Sequence, residues 1–173
     1  NATARNNYAL QLALSGDPGT AMTMLRDSLK DHPDSYGGNY NLGRVLYEAN
    51  MLPAAEHYLL QARTIDASRP EPYLQLGMIS IRKGLLEEAE SDFRSALALR
   101  PDDPKFHFAL GVTLADSRKC TLARTEFTRA LSLDPKLTRA QEQMDKCGAD
   151  TAAARPAAGP PLVRVPPAPV KGP

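Results

Sequence analysis

Cysteine, histidine and clustered carboxylates are where chemistry would show first, and this chain of 173 residues holds few of them. There are two cysteines, Cys120 and Cys147, three histidines, His32, His57 and His107, and one acidic run, Glu87, Glu88 and Glu90. The histidines share no ligand spacing with one another or with the cysteines, so a tetrahedral zinc set is not assembled and no metal or other cofactor is expected. No Ser, Thr or Cys has the context of an activated nucleophile, and no glycine-rich loop follows a strand. The three glutamates read as the acidic first turn of a helix, where they favour the helix dipole. Enzymatic activity is not expected. Charge and hydropathy remove two further classes. Twenty-one basic against twenty acidic side chains leave a formal charge of +1, far from the basic surface that nucleic acid requires. No apolar run approaches the roughly 20 residues that cross a bilayer, so membrane attachment would have to run through a lipid anchor upstream of Asn1.

The elements that would position any site repeat at a fixed interval. Gly43, Gly77 and Gly111 stand 34 residues apart, each after a leucine, Leu42, Leu76 and Leu110. Ala21, Ala55, Ala89 and Ala123 keep the same interval, and Leu25, Leu59, Phe93 and Phe127 form a large apolar column four residues later. Ser28, Ala62, Ala96 and Ala130 make a small column three further on. Pro33, Pro101 and Pro135 close the unit, with Ala67 replacing proline in the second. Agreement across five columns is the signature of a stacked repeat.

Within each unit the period is helical. Ala89, Phe93, Ala96 and Leu97 recur at three and four residues, as do Tyr73, Leu76, Gly77 and Ile81. Two helices per unit follow, near 3–15, 18–31, 36–49, 52–66, 70–83, 86–99, 104–117 and 120–133. Gly16, Asn50, Gly84 and Arg118 share the column between the two halves, where a turn favours positive φ. Residues 136–147 read as a ninth, amphipathic helix with Leu137, Ala140 and Met144 on one face, stopped by Gly148. Such a helix would cover the apolar end of the stack. Residues 148–173 turn to Pro and Ala with one acid and no aromatic residue, a composition expected to form a disordered tail or linker.

Leu-Gly followed by Ala, Phe, Ala and Pro at a 34-residue interval resembles the tetratricopeptide repeat. The resemblance covers residues 2–135 as four repeats. The third (Tyr73, Leu76, Gly77, Ala89, Phe93, Ala96, Pro101) is nearest the consensus, and the first, with Tyr8 and Ala9 in place of Leu-Gly, is furthest from it. It implies an all-α fold, a right-handed superhelical solenoid of four helix pairs plus a C-terminal capping helix over residues 1–147. It also implies that the first helix of each unit lines a concave surface. The inward positions are then Asn6 and Leu10, Tyr40, Arg44 and Tyr47, Leu74, Met78 and Ile81, and Phe108 and Val112. Some of these side chains could instead pack between helices. A strip of this composition implies a protein partner, an apolar or amphipathic peptide or helix in the groove, bound by contacts that survive raised salt. His107 stands where the repeat often has an aromatic residue, so a packed imidazole is expected. The Lys and Asn set with which some members grip chaperone C-termini is missing. Its positions hold Asn6, Leu10, Asn41, Glu71 and Gln75 in one frame, or Tyr40, Arg44, Gln75, Lys105 and Ala109 in the other.

In a stack of antiparallel helices the start of 120–133 lies beside the end of 136–147. Cys120 and Cys147 are therefore expected as neighbours, either bridged, pinning the capping helix, or reduced and packed as small apolar residues. A bridge implies an oxidising compartment. With an Ala- and Arg-rich composition, the chain is similar to the pilotin lipoproteins that help type IV or Tad pilus secretins assemble. That resemblance implies a secretin or pilus-assembly partner at the periplasmic face of the outer membrane. Two cytoplasmic alternatives remain: a regulatory repeat arm of a larger enzyme or signalling protein, or an assembly chaperone, which free thiols would favour.

Overall fold

The computed structural model describes residues 2–153. Over that range the elements are α1 (Ala2–Leu14), α2 (Pro18–Asp31), α3 (Tyr36–Glu48), α4 (Leu52–Ile65), α5 (Glu71–Arg82), α6 (Leu86–Leu99), α7 (Pro104–Asp116), α8 (Cys120–Leu133) and α9 (Thr138–Ala153). Each of the first four odd-numbered helices is closed by the same device. The amides of Asp17, Met51, Leu85 and Lys119 donate to the carbonyls of Leu12, Leu46, Ser80 and Leu114 at 2.9, 2.9, 2.9 and 2.8 Å. These six-to-one bonds are Schellman caps, which need a left-handed residue at the turn. Gly16 (φ 98°), Asn50 (58°), Gly84 (77°) and Arg118 (61°) supply it. Arg118 does so with a Cβ, at a cost of about 1–2 kcal/mol. Sharp identical turns make consecutive helices antiparallel neighbours, and the chain stacks in order from α1 to α9.

Packing explains the columns. Ala21, Leu25 and Ser28 of α2 are buried, and so are their equivalents Ala55, Leu59 and Ala62, then Ala89, Phe93 and Ala96, then Ala123, Phe127 and Ala130. The large member of each triplet from α4 onward presses on the glycine of the helix before it. A Cβ on Gly43, Gly77 or Gly111 would lie 2.6 Å from Leu59 Cγ, Phe93 Cε1 or Phe127 Cε1. Any larger residue would force those helices apart.

Ion pairs between adjacent repeats fix the register on the outer side. Lys83 meets Glu56 at 2.6 Å and Arg63 meets Asp92 at 3.7 Å, while Arg100 meets Glu71 at 2.9 Å within the third unit. Lys119 meets Glu90 at 2.9 Å and Arg129 meets Asp102 at 2.6 Å. The sequence separations are all 27 to 29 residues, one repeat less a turn or so.

The ninth helix differs from its expected limits. It starts at Thr138, 34 residues after Pro104, and continues through Gly148 to Ala153. One glycine inside a helix costs about 1 kcal/mol, which is too little to end it. It is the first half of a fifth unit: Met144 holds the leucine position and Ala140 is buried. Asp145 stands in the glycine column and is exposed, because among the described residues no further helix presses on it. Of the expected tail, residues 154–173 lie outside the described residues. Among the described residues no helix is long and apolar enough to cross a membrane.

Candidate functional site on the inner face

The odd-numbered helices bring most of the expected strip together on one face. Leu10, Tyr40, Arg44, Leu74, Met78, Ile81, Phe108 and Val112 are each half-buried. One side of each side chain rests on the stack and the other is open. Met78 packs against both core clusters, while Leu74, Ile81, Phe108 and Val112 pack against the cluster around Phe93 and Phe127. Phe108 lies 6.0 Å from Phe127, ring to ring. The strip therefore continues the core out to the surface rather than lying on top of it.

Two expected members are placed elsewhere. Tyr47 is only 4% exposed, because the Arg82 guanidinium lies 3.9 Å above its ring and donates to its main-chain carbonyl at 3.2 Å. Burial pushes the Tyr47 phenol up, with Arg82 opposing. Asn6 is 3% exposed. Its side-chain amide nitrogen reaches Ser35 Oγ at 3.5 Å, and its main-chain carbonyl accepts from Asn41 Nδ2 at 3.4 Å. Asn6 and Asn41 stitch α1 to α3. These positions turn from the groove into the seam between repeats, so Tyr47 and Asn6 support the surface and do not present it.

Aromatic rings on this side are covered by guanidinium groups. Tyr36 and Tyr40 stack at 5.8 Å, with Arg69 over Tyr36 at 4.4 Å and Arg44 over Tyr40 at 5.7 Å. Arg139 of α9 lies over Phe108 at 5.6 Å. Burial raises both phenols, Glu71 adding to the effect at each, while Arg69 opposes it at Tyr36 and Arg44 at Tyr40. Sequence reasoning missed Arg82 and Arg139 because neither falls in an inward column of its own helix; each reaches across to the preceding unit.

Sequence reasoning also missed a pocket of about 370 Å³ between α1, the start of α2 and the end of α3, whose apolar wall includes Leu10, Ala13, Leu14 and Val45. Leu14 is 71% exposed. The signal was available: Leu14 is the apolar member of a column otherwise filled by Glu48, Arg82 and Asp116.

His107 and the two cysteines make contacts between helices. His107 is held between Glu126 Oε2 at 2.7 Å and the Pro101 carbonyl at 2.8 Å, a packed imidazole joining α7 to α8. Cys120 and Cys147 form a disulfide with a Cα separation of 5.3 Å, tying the start of α8 to α9. Among the described residues no three His, Cys, Asp or Glu side chains gather as a metal site.

Comparison with known proteins agrees with this architecture. The tetratricopeptide repeat family matches residues 12–77 and again 74–138, more than half of the chain together. The peroxisomal targeting signal receptor of Eremothecium gossypii is 32% identical over 102 residues, 59% of this chain and 16% of the receptor. Protein O-mannosyl-transferase TMTC3 of Homo sapiens is 26% identical over 149 residues, 78% of this chain and 16% of the transferase. The chain thus spans about 16% of the length of these curated relatives. Among solved structures, MamA from Desulfovibrio magneticus RS-1 superposes with a TM-score of 0.79 at 14% identity, covering 87% of this chain and 85% of that one. YrrB, described as a TPR protein with an unusual peptide-binding site, gives 0.74 at 18% identity, covering 90% and 80%. These likenesses place the fold as a right-handed superhelix of helix pairs. With the 34-residue columns, the glycine contacts and the repeated caps all in place, this chain belongs to the tetratricopeptide repeat family.

Proposed function

We propose that this chain is a non-catalytic scaffold that holds an apolar or amphipathic segment of a protein partner along its inner face. The observation that carries this is the half-buried strip from Leu10 through Tyr40, Leu74 and Met78 to Phe108 and Val112. Side chains with one face on the core and one face open are rigid and poorly hydrated. They bury a partner's apolar groups with little loss of their own freedom. The peptide-binding site described for YrrB is support by likeness of fold.

The Cys120–Cys147 bridge favours an oxidising compartment. On that ground we read the chain as an exported, pilotin-type assembly factor at the periplasmic face of the outer membrane, with a secretin or pilus subunit as partner. A second reading is favoured by a different observation: the two curated relatives carry their matching repeats as a small part of long chains. On that reading the solenoid is the regulatory arm of a larger protein.

The test of the scaffold is site-specific photo-crosslinking in the native host. A photoreactive residue at Leu74, on the inner face, should give a discrete adduct with one partner, while one at Leu60 on α4 should not. Equal adducts from both positions would refute inner-face binding, and the identity of the adduct decides between the two cellular readings.

A further inference from the structure

We propose that the inner face takes a partner segment of a particular chemistry: an acidic amphipathic segment, its aliphatic side chains on the strip and its carboxylates on Arg44, Arg82 and Arg139. This deepens the scaffold reading and rests on it.

The argument starts from what these arginines do and do not touch. Each lies over an aromatic ring of the inner helices, Arg44 on Tyr40, Arg82 on Tyr47 and Arg139 on Phe108, at 5.7, 3.9 and 5.6 Å. A guanidinium held near a ring face by cation–π attraction still has N–H groups available for a carboxylate, which it can bind through two parallel hydrogen bonds. None of the three forms an ion pair among the described residues, and Arg82 spends one N–H on the Tyr47 carbonyl. The basic residues that pair one repeat with the next are each neutralised by a neighbour's carboxylate: Arg63, Lys83, Lys119 and Arg129. Glu71 lies on the inner side and is already taken by Arg100. Glu48 shares the pocket rim with Arg44 without pairing to it.

Placement joins the two chemistries. Arg44 borders the pocket of about 370 Å³ walled by Leu10, Ala13, Leu14 and Val45, so an aliphatic anchor seated there has a cation beside it. Arg82 and Arg139 follow on α5 and α9, one over Tyr47 and one over Phe108. A segment running along the groove would pass all three in order, alternating apolar contact with charge.

The test uses an array of synthetic segments of about 15 residues with constant apolar content and net charge stepped from acidic to basic, titrated against the full chain by fluorescence anisotropy. Acidic members should bind tightest, and raised sodium chloride should weaken them toward the uncharged members without abolishing binding, since the charge contacts lie at a surface and the apolar ones survive salt. The double variant Arg44→Gln/Arg139→Gln should bind them about ten-fold more weakly, as loss of charge pairs at an interface does. Arg129→Gln, on the outer side, should bind them as the parent does. Binders without charge bias that are still weakened by Tyr40→Ala would overturn the acidic assignment and leave the groove reading standing. No binding at any charge, or binding indifferent to Tyr40→Ala, would overturn both.

Discussion

Arg129 and Arg139 lie ten residues apart in the chain and are used in opposite ways. On the outer side, Arg129 meets Asp102 at 2.6 Å and its charge is consumed in setting one repeat against the next. On the inner side, Arg139 lies over Phe108 with no ion pair among the described residues. The same contrast runs the length of the stack, from Arg63, Lys83 and Lys119 outside to Arg44 and Arg82 inside. Among the described residues these outer cations each have an ion pair, and the inner-face arginines have none. A repeat fold needs register from its outer pairs and packing from its columns, so unmatched groups on the inner face are the part that stability does not explain.

Stability and binding should separate along this division, and the largest effect belongs to the columns. Phe127→Ala should cost about 3–5 kcal/mol, as removal of a fully buried aromatic does, seen as a large fall in the thermal midpoint. A small fall would mean that the aromatic column does not hold the repeats together. Opening the Cys120–Cys147 bridge comes next. A loop of this length contributes about 3–4 kcal/mol in the chain-entropy account, and the loss should be confined to α9, read as faster amide exchange there with α1 to α6 unchanged. Tyr40→Ala should lose about 1–3 kcal/mol of partner binding with little change in melting, because its ring is half open and the core beneath it is intact.

Smaller effects come from the outer pairs. Asp92 lies 3.7 Å from Arg63, yet burial outweighs that attraction and pushes its carboxyl up to about 6. A folded value raised above the unfolded one means that the native state holds the neutral acid more tightly. Its contribution is complete below about pH 4 and is lost as pH rises through about 6. Asp92→Asn should therefore gain stability over the parent between those limits and hold that gain up to neutral pH, with no gain in more acidic solution. Lys119→Ala should be the mildest of all, below about 1 kcal/mol, since exposed pairs contribute little, and it should leave binding untouched.

The fold was legible because its determinants are local or strictly periodic. A left-handed turn, a glycine under a ring and an alanine at a crossing each recur at 34 residues, so even Arg118 could be assigned to its turn by column alone. That Cys120 and Cys147 are neighbours followed from helix order. The end of α9 was not legible, since Gly148 reads as a stop and the cost of a helical glycine is too small to make it one. The site was legible by half. Inward columns found Leu10, Tyr40, Leu74, Met78 and Phe108, which depend on one helix. They misplaced Asn6 and Tyr47, which turn into the seam between repeats, and omitted Arg82 and Arg139, which reach from one unit to the ring of the unit before, a relation that no column within a single helix records.

Amide hydrogen exchange of the full chain with and without the tightest acidic segment of the array tests the central claim most directly. Binding on the inner face should slow exchange in α3, α5 and α7 and leave α4, α6 and α8 as they were. Protection concentrated in α4, α6 and α8 would place the partner on the outer side and contradict the account.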